Sequence, residues 1–424
     1  MEAKRHIVIV GGGIIGSTTA YFLTRHPKFN PALHKITLLE AAPSLASGAS
    51  GKAGGLLALW AYPACLVPLS YRLHAELAAE HGGAQRWGYR KVSCGSIEAV
   101  VSKGKLEDVL RAKEEGGGKA WEKLPKQDGA ARELLEEGSL PPDLDYIDRD
   151  VVTGYAEMGA PGRTETAQVH PFHFTTSIAQ LAKEGGVDIR TNAKVTEIFS
   201  GDSGGVRGLE YLDRESGETR RIDDATQVIV AAGPWTGRVL PRSKVHGLRA
   251  HSVVYEADVS PHAVFTDIQL PPTFIPEHRR AAGQKRRHKG SVDPEIYARP
   301  FGEVYACGEP DTDVPLPDTA DLVRCDEAQV DDMVAYIATV SSALAAAPVK
   351  AKQACYLPRH MRFGQEAGPL VGETAVPGLH VASGHTCWGI QNGPATGKLM
   401  SEIIFDGVAS SADVSKLDPK KFKV

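Results

Sequence analysis

A short apolar run leads directly into a glycine-rich turn near the start of the chain, in HIVIVGGGIIG. Residues 6–10 predict a β-strand, and residues 14–23 predict the helix that follows it. Between them, Gly11, Gly13 and Gly16 form the pattern GxGxxG. In such a turn the first glycine permits the tight bend, the second lets the backbone approach a pyrophosphate, and the third lets the helix pack closely on the strand. Because the helix N-terminus then faces phosphate with its positive end, the turn predicts an α/β fold with a dinucleotide site.

A second apolar run, KITLL at residues 35–39, predicts the next strand and ends at Glu40. An acid at this point accepts hydrogen bonds from a ribose. Glu40 lies 24 residues after Gly16, and a longer helix-to-strand loop at residues 26–35 accounts for the distance. A solvated charge at the strand end is the alternative interpretation. Since a carboxylate repels a 2′-phosphate, NADP is a poor candidate for the cofactor.

Residues 44–57, SLASGASGKAGGLL, crowd small residues and glycines around a single lysine. Such a segment can pass its backbone close to a flat ring system. Ser47, Ser50 and Lys52 can then reach phosphate oxygens or ring heteroatoms. These features favour a flavin over a nicotinamide.

At this point the chain resembles the D-amino acid oxidase superfamily of FAD-dependent oxidoreductases, which includes glycine oxidase and sarcosine oxidase. Four further stretches carry the resemblance: residues 168–199, 228–237, 295–308 and 384–404. They are similar, in order, to a helix with its returning strand, a strand ending at a small-residue turn, a hairpin of the substrate sheet, and a C-terminal motif that delivers a helix end to the flavin.

The resemblance implies that FAD is bound non-covalently by residues at matching positions. Relatives usually carry an arginine where Lys52 stands, and Val195 would meet the adenine through its backbone. The implied cofactor residues are Gly11, Gly13, Ile14, Ile15, Gly16, Glu40, Ala41, Ser47, Ala49, Ser50, Gly51, Lys52, Gly54, Gly55, Leu56, Val195, Ala231, Ala232, Gly233, Trp235, Gly384, Gly389, Ile390 and Gln391.

The last stretch, GHTCWGIQNGPATGKLMSEII, also makes sense from its residues alone. Asn392 can cap a helix, Pro394 is tolerated in a first helical turn, and the run to Ile404 has helical spacing. A helix N-terminus aimed at the flavin pyrimidine would stabilise the negative charge that develops there on reduction.

A length of 424 residues favours two lobes. We expect a discontinuous Rossmann-like FAD-binding domain from residues 1–95, 160–245 and 350–424. An α+β substrate domain, built on a mostly antiparallel sheet, would take residues 96–159 and 246–349. Within it, residues 326–344 predict one helix that leads back to the cofactor domain.

The reaction that the resemblance implies is oxidation of a C–N bond in an amine or amino acid. A hydride passes from the carbon next to the nitrogen to flavin N5, the imine hydrolyses, and molecular oxygen reoxidises the flavin to give hydrogen peroxide. The flavin carries this chemistry, while the protein positions the amine and holds its carboxylate.

The carboxylate anchor departs from the family pattern. Many relatives carry an arginine before a proline where this chain has Leu357, and Arg359 follows the proline. Arg359 or Arg362 can replace that arginine through a changed loop, or the substrate has no α-carboxylate. Tyr297 and Arg299 share one face of the predicted hairpin and form a second candidate anchor, with a plain sheet surface as the alternative.

Three more residues near the predicted flavin are candidates for a role. Sarcosine-oxidase-like relatives attach the flavin to a cysteine two residues before a tyrosine, whereas Cys355 stands one residue before Tyr356, so non-covalent binding is expected. His385 and Trp388 would lie over or beside the flavin ring. His385 is a candidate to tune proton uptake there, with a packed structural histidine as the alternative.

Composition excludes several other classes of function. A net charge of −4 gives no general attraction to nucleic acid, and the basic segment at residues 279–290 is interpreted as a solvated loop. The six cysteines are scattered without metal-ligand spacing. No segment has the length and apolarity of a membrane span or a signal peptide. We therefore expect a cytoplasmic protein with reduced thiols and no bound metal.

Two other functions remain open from the sequence. One is a dehydrogenase that passes electrons to an acceptor other than oxygen. The other is a flavoprotein with weak or no oxidase activity that acts as a regulatory partner. The chain also resembles fungal oxidoreductases of this superfamily that have been connected with endosome-to-Golgi traffic, so a protein partner is conceivable.

Overall fold

A computed structural model describes residues 4–102, 140–158, 165–201, 204–285, 288, 290–308 and 310–424, and the backbone of residues 135–138. Part of the predicted substrate domain and part of the basic segment at 279–290 therefore lie outside the described residues. Among the helices that are described, none is long and apolar enough to cross a bilayer.

The described strands and helices follow one another along the whole chain. The strands are β1 (Arg5–Val10), β2 (His34–Leu39), β3 (Leu56–Ala58), β4 (Arg90–Lys91), β5 (Ser93–Val100), β6 (Leu135–Gly138), β7 (Val152–Met158), β8 (Thr166–Gln168), β9 (Asp188–Arg190), β10 (Ala193–Ser200), β11 (Val206–Asp213), β12 (Thr219–Ile222), β13 (Gln227–Val230), β14 (Val245–Glu256), β15 (His262–Gln269), β16 (Ser291–Val292), β17 (Glu295–Arg299), β18 (Glu303–Cys307), β19 (Val349–Arg362), β20 (Gln365–Glu366), β21 (Leu370–Glu373) and β22 (Leu379–Ser383). The helices are α1 (Ile14–Thr24), α2 (Ala49–Lys52), α3 (Val67–His81), α4 (Gly83–Trp87), α5 (Pro171–Glu184), α6 (Thr236–Val239), α7 (Glu277–Ala281), α8 (Glu327–Ile337), α9 (Ser342–Ala346) and α10 (Gly389–Asp406).

The first sheet has the described strand order β21-β22-β13-β1-β2-β9. The pairs of β1 with β13 and with β2 are parallel, and only the edge strand β21 runs antiparallel among these strands. The helices α1, α5 and α10 pack with its central strands in one apolar core. A parallel strand buried on both faces reads as a continuous apolar run, which is why HIVIV forms the centre of the sheet. The predicted Rossmann-like fold is confirmed.

The second sheet has the described order β20-β19-β14-β18-β17-β15-β5-β7-β6, with β16 on β15. Its described pairs are antiparallel except for β15 with β5. The predicted mostly antiparallel sheet is therefore confirmed. β19, which the sequence assigned to the cofactor domain, pairs along β14 in this second sheet. The exact domain boundaries stay a prediction.

The hairpin predicted at residues 295–308 is present as β17 and β18. Phe301 and Gly302 turn its corner with φ of 69° and 71°. Ile296 and Ala298 lie in the core behind the sheet. Glu295 and Tyr297, which alternate with them, therefore face the other way, toward the cofactor segments.

Two predictions about the substrate domain were wrong. The helix expected over residues 326–344 is two helices, α8 and α9, because Ser341 caps a new helix by accepting a hydrogen bond from the Leu344 N–H. Within the basic segment, Arg279 is fully buried rather than solvated. It donates to the buried carboxylate of Asp332, which compensates its charge.

Candidate functional site

One long cleft runs along the carboxyl ends of β1, β2 and β13 toward the second sheet. It encloses about 1270 Å³ of empty space, part of it open to solvent. It reaches from the end of β2 to the start of α10, an extent that suits a dinucleotide. The predicted residues that line the cleft are Gly11, Gly13, Ile14, Ile15, Glu40, Ala41, Ser47, Ala49, Ser50, Val195, Ala231, Ala232, Gly233, Trp235, His385, Gly389 and Ile390.

The glycine turn after β1 opens onto the middle of this cleft. Gly11 has a φ of +114°, and a Cβ there would lie 2.4 Å from the carbonyl oxygen of Ala231. Only glycine fits, because both the backbone angle and the close neighbour exclude a side chain. Gly16 does not line the cleft; its Cα faces the Gly11 carbonyl, where a Cβ would come within 1.9 Å. It therefore serves the close helix–strand packing that its position in GxGxxG predicts.

Glu40 is held inside the protein at the end of β2. Its carboxylate accepts hydrogen bonds from the Gly12 N–H at 2.7 Å and the Ala42 N–H at 2.8 Å. Burial raises its pKa, against the effect of these hydrogen bonds. The alternative of a solvated strand-end charge is therefore wrong. The carboxylate organises the loop around the cleft and keeps an acid at the position expected for a ribose.

Apart from Ala53, the segment after Ser50 connects the two sheets instead of lining the cleft. Lys52 donates to the Ala354 carbonyl on β19 at 3.0 Å. A Cβ at Gly54 would lie 2.1 Å from the Tyr297 ring. The remaining predicted residues of this group, Gly51, Gly55 and Leu56, do not line the cleft either. The glycines among them let the backbone pass close to its neighbours, since a Cβ at Gly55 would lie 2.0 Å from the Val169 carbonyl oxygen.

A strap at residues 316–320 covers one end of the cleft, and the sequence did not identify it. Asp318, Thr319 and Ala320 line the cleft from this side. Lys194 pairs with the Asp318 carboxylate at 2.5 Å, and Trp235 donates through Nε1 to the Pro317 carbonyl at 2.7 Å. These contacts join segments far apart in the chain, so no local pattern could have indicated them.

The helix at the other end of the cleft begins earlier than predicted. α10 starts at Gly389, so Asn392 lies inside the helix and does not cap it. Asn392 instead donates through Nδ2 to the Tyr62 carbonyl at 2.8 Å. Pro394 therefore lies beyond the first turn, where it lacks the N–H that would bond to the Ile390 carbonyl.

Side chains of helix α3 replace the backbone hydrogen bonds that α10 loses around Pro394. Nε2 of His74 donates to the Ile390 carbonyl at 3.0 Å and to the Gln391 carbonyl at 3.3 Å. Ser70 Oγ accepts the Ala395 N–H at 3.1 Å. Burial lowers the pKa of His74 to about 4, so the ring is neutral and its one N–H is free to donate.

Helices α1 and α10 cross so closely that both begin at the same cleft. A Cβ at Gly397 would lie 2.5 Å from the backbone of Thr18. The Thr18 hydroxyl donates to the Gly393 carbonyl at 2.8 Å. One turn earlier, Gly389 lies next to Ile14. Two helix N-termini, each favouring negative charge, are thereby fixed side by side.

His385 lines the cleft beside the start of α10. Its Nε2 pairs with the Thr396 hydroxyl at 3.0 Å, and burial lowers its pKa to about 3. It is neutral at physiological pH, so the expected role in proton uptake is not supported. Its Nδ1 is buried without a hydrogen-bond partner among the described residues, which leaves a polar atom for a ligand.

The other predicted residues near α10 do not line the cleft but support the segments that do. Gln391 accepts the Ala58 N–H through Oε1 at 2.9 Å. Gly384, with a φ of +91°, turns the chain after β22. Trp388 is buried and does not line the cleft.

Trp388 belongs to a group of rings between α10 and the second sheet, called here the aromatic box: Trp60, Tyr62, Phe265, Tyr297 and Trp388. Trp60 meets Trp388 edge-to-face with centroids 5.4 Å apart, and it meets Phe265 at 6.1 Å. Phe265 meets Tyr297 at 5.8 Å. The box thus links the start of α10 to the predicted hairpin of the substrate sheet.

Arg299 is not available as a substrate anchor. Its Nη2 lies 2.5 Å from the Glu303 carboxylate and 2.9 Å from His170 Nε2, and its Nη1 donates to the Ala53 carbonyl. Despite burial, hydrogen bonding from His170 and the charge of Arg299 hold the pKa of Glu303 well below its usual range. The charge of Arg299 is therefore already compensated, and the sequence could not reveal this pairing across elements.

Leu357 lies at one end of the cleft, and Arg359 lies beside that end, opposite His385. Leu357 lines the cleft, and Arg359 follows two residues later on the same strand face. Arg359 Nε is buried and lacks a hydrogen-bond partner among the described residues. Arg362, in contrast, donates to the Phe422 carbonyl at 2.5 Å, so it holds the C-terminal segment.

The two cysteines near the cleft, Cys355 and Cys387, differ in whether they line it. Cys355 is buried and is not part of the cleft lining. Cys387, which the sequence analysis did not single out, lines the cleft beside α10 and pairs its sulfur with the Tyr62 hydroxyl at 3.6 Å. Burial raises the pKa of Cys355 to about 11, whereas Cys387 is exposed.

These residues fit an FAD molecule. The open cradle at Gly233, where a Cβ would meet nothing within 4 Å, leaves room for a ligand against the turn. The unpartnered Nδ1 of His385 and the two helix N-termini supply polar groups along the same cleft.

A family model described as "DAO: FAD dependent oxidoreductase" matches residues 6–403. The chain belongs to this family of FAD-dependent oxidoreductases. Two yeast relatives also match over nearly their whole length. The Saccharomyces cerevisiae protein described as "Putative oxidoreductase TDA3" is 35% identical, covering 99% of this chain and 95% of that protein. "Putative oxidoreductase C1F5.03c" of Schizosaccharomyces pombe is 33% identical, covering 99% of both.

Solved structures of amino-acid enzymes share the fold of this DAO-family chain. Glycine oxidase from Geobacillus kaustophilus matches with a TM-score of 0.65 and 20% identity over 99% of both chains. L-proline dehydrogenase from P. horikoshii matches with a TM-score of 0.64 and 16% identity over 100% of this chain and 99% of its own.

Replacing Gly233 by alanine tests the cofactor cradle of this DAO-family protein. The φ of +52° allows alanine at a cost of about 1–2 kcal/mol, but the new methyl group would project into the cleft. We expect Gly233→Ala to weaken FAD binding at least ~10-fold, or about 1.4 kcal/mol, measured by flavin fluorescence titration of the apoprotein.

Gly302→Ala is the matched control, because Gly302 also has a positive φ of +71° and open space around it, but lies in the β17–β18 turn. It should cost similar stability and leave FAD affinity unchanged. Equal FAD affinities for the two variants would contradict the assignment of the cradle.

Replacing His74 tests the repair of α10. His74→Phe keeps a ring but removes the N–H, leaving two buried carbonyls unpaired at a cost of about 1–3 kcal/mol. We expect that loss in urea unfolding, together with a shifted visible spectrum of the bound flavin. His74→Gln, which keeps a donor, should lose less. If both variants behave alike, the hydrogen bonds to Ile390 and Gln391 do not position the helix.

Proposed function

We propose that this DAO-family protein oxidises the C–N bond of an amine that carries a carboxylate, with molecular oxygen as electron acceptor. The observation that carries the proposal is the position of the aromatic box and Arg359 beside the α10 N-terminus: Trp388 of the box directly precedes α10, and Arg359 pairs with His385 of the cleft lining. Bound FAD would accept the hydride from the carbon next to the nitrogen, and the resulting imine would hydrolyse.

The protein's own residues have separable tasks in this proposal. The aromatic box excludes water from the reacting carbon and surrounds the amine with ring faces, which attract cations. The N-terminus of α10 favours negative charge near Gly389 and Ile390. Arg359 receives the substrate carboxylate, since its Nε has no other partner in the described chain.

We propose that FAD is bound without a covalent link. Attack on a flavin requires a thiolate, and burial keeps Cys355, the candidate that the sequence raised, protonated. Acid precipitation of the holoprotein should release all of its flavin into the supernatant. Yellow colour retained by the precipitated protein would contradict non-covalent binding.

The first test of the function is an anaerobic visible spectrum of the holoprotein during titration with D- and L-amino acids, N-methyl amino acids and simple amines. Bleaching of the oxidised flavin by carboxylate-bearing amines would support the proposal. A flavin that none of them reduces would contradict it and favour a regulatory role with a protein partner.

The same titration with Arg359→Met tests the carboxylate anchor. Losing a charged, bidentate partner should raise KM for amino acids by ~10–100-fold, or about 1.4–2.8 kcal/mol, while simple amines change little. Arg362→Met is the control, because Arg362 holds the Phe422 carbonyl and should affect stability without changing the preference for carboxylates. An unchanged preference in Arg359→Met would overturn the anchor.

A dehydrogenase is the second candidate, because L-proline dehydrogenase shares the fold. Stopped-flow reoxidation distinguishes the two. Rapid reoxidation of the reduced flavin by oxygen supports an oxidase, whereas slow reoxidation with fast transfer to a quinone supports a dehydrogenase.

A further inference from the structure

The carboxyl group of Glu295 lies at the edge of the aromatic box without a cationic partner. It receives a hydrogen bond from the Tyr297 hydroxyl and a longer one, at 3.8 Å, from the Cys307 thiol. No Lys, Arg or His side chain among the described residues forms an ion pair with it. The residue as a whole nevertheless stays partly accessible to solvent.

Every element packed around Glu295 contributes neutral or acidic groups. Asp293 and Tyr297 belong to its own segment, and Cys307 to β18. Cys94 on β5 and Cys387 beside α10 also lie within electrostatic range. Glu295 is bonded to Tyr297 of the aromatic box, and the box adjoins the start of α10, so its carboxyl group lies on the side of the sheet that faces the proposed reaction site.

Glu303, at the other end of the same hairpin, is an acidic residue with a structural role and can be compared with Glu295. It faces the same side of the sheet but pairs with Arg299, His170 and Lys350. A buried charge normally requires such partners. Glu295 is left without them, although Glu295 and Glu303 are only eight residues apart.

We propose that Glu295 is the base that removes a proton from the ammonium group of the substrate. The proposal rests on the proposed function, because loss of a hydride from the carbon requires the lone pair of the free amine. Alkyl amines with pKa values near that of lysine, about 10.4, arrive as ammonium ions. One N–H bond of the ammonium breaks and one O–H bond forms on Glu295, so an ion pair becomes a neutral amine and a carboxylic acid.

The surroundings favour this transfer in two ways. Burial raises the pKa of Glu295 to about 7, while the Tyr297 hydroxyl acts in the opposite direction, and a base works best when its pKa is near the working pH. A low-dielectric site also disfavours a charged pair relative to the neutral pair. The ring faces of the box attract the incoming cation before the proton moves.

The pH dependence of flavin reduction in Glu295→Gln tests the proposal. Gln keeps the shape and a hydrogen bond to Tyr297 but cannot accept the proton. For the amine that reduces the wild-type flavin fastest, anaerobic stopped-flow rates should fall below about pH 7. In Glu295→Gln the midpoint should move up toward the solution pKa of the amine, and the rate at high pH should recover to within ~3-fold.

Recovery at high pH separates a base from a structural residue, because the substrate then arrives as the free amine. Glu303→Gln is the matched control and should lower stability without moving the midpoint. An unchanged midpoint in Glu295→Gln would overturn the proposal. A rate that stays low at every pH would also overturn it.

A binding measurement tests Glu295 even if no amine reduces the flavin. 2-Aminoisobutyrate carries a carboxylate and has no hydrogen on the carbon that bears nitrogen, so it meets the proposed anchor and binds without being oxidised. Calorimetry of the holoprotein at about pH 8, in buffers of different ionisation enthalpy, counts the protons released. Wild type should release none, because the proton moves to Glu295, and Glu295→Gln should release one.

Equal proton release by the two proteins would contradict the proposal, as would an absence of binding to wild type. Loss of all binding in Glu295→Gln at every pH would make Glu295 an ion-pair partner and not a base. The failure of the proposed function is distinct, since it appears as a flavin that stays oxidised in the wild-type protein.

Discussion

The close crossing of α1 and α10 is the contact on which the rest of the site depends. A glycine in α10 meets the backbone of Thr18, and no larger residue fits there. Because both helices begin at the carboxyl edge of the first sheet, this crossing brings two N-termini to one cleft. The break at Pro394 would weaken the second helix at its start, and His74 and Ser70 from α3 compensate for it. The cofactor end of the cleft is therefore held by backbone contacts and by a neighbouring helix.

Buried charged side chains have different kinds of partner on the cofactor side and on the substrate side of the molecule. On the cofactor side, Glu40 is anchored by backbone N–H groups. On the substrate side, Arg299 and Glu303 compensate each other, while Arg359 and Glu295 form no ion pair in the described chain, although Glu366 lies within electrostatic range of Arg359. A buried charged group without an ion-pair partner lowers the stability of the fold unless a bound ligand supplies the partner. The contrast between paired and unpaired groups on one sheet is the strongest structural indication of where a zwitterionic substrate would bind.

Much of the cofactor side was predictable because its signals are local. The turn at Gly11 and the acid at Glu40 each occur within one βα unit, and the hairpin around Gly302 is equally local. Predictions failed where the outcome depended on segments distant in sequence. The start of α10 was placed too late because Pro394 is tolerated only through His74, some 320 residues earlier. Arg299 was taken for an anchor because its partners His170 and Ala53 belong to other elements.

The sequence by itself determined the α/β class, the dinucleotide turn and the resemblance to FAD-dependent oxidoreductases, since short-range periodicity and glycine spacing encode them. Only the tertiary structure decided which charged side chains are already paired. It also decided that the strap at 316–320 and Cys387 belong to the cleft. The physical reason is that pairing and burial depend on distances between elements, and many sequences with the same local patterns place their charges differently. For this chain, that difference separates Arg299, a structural residue, from Arg359 and Glu295.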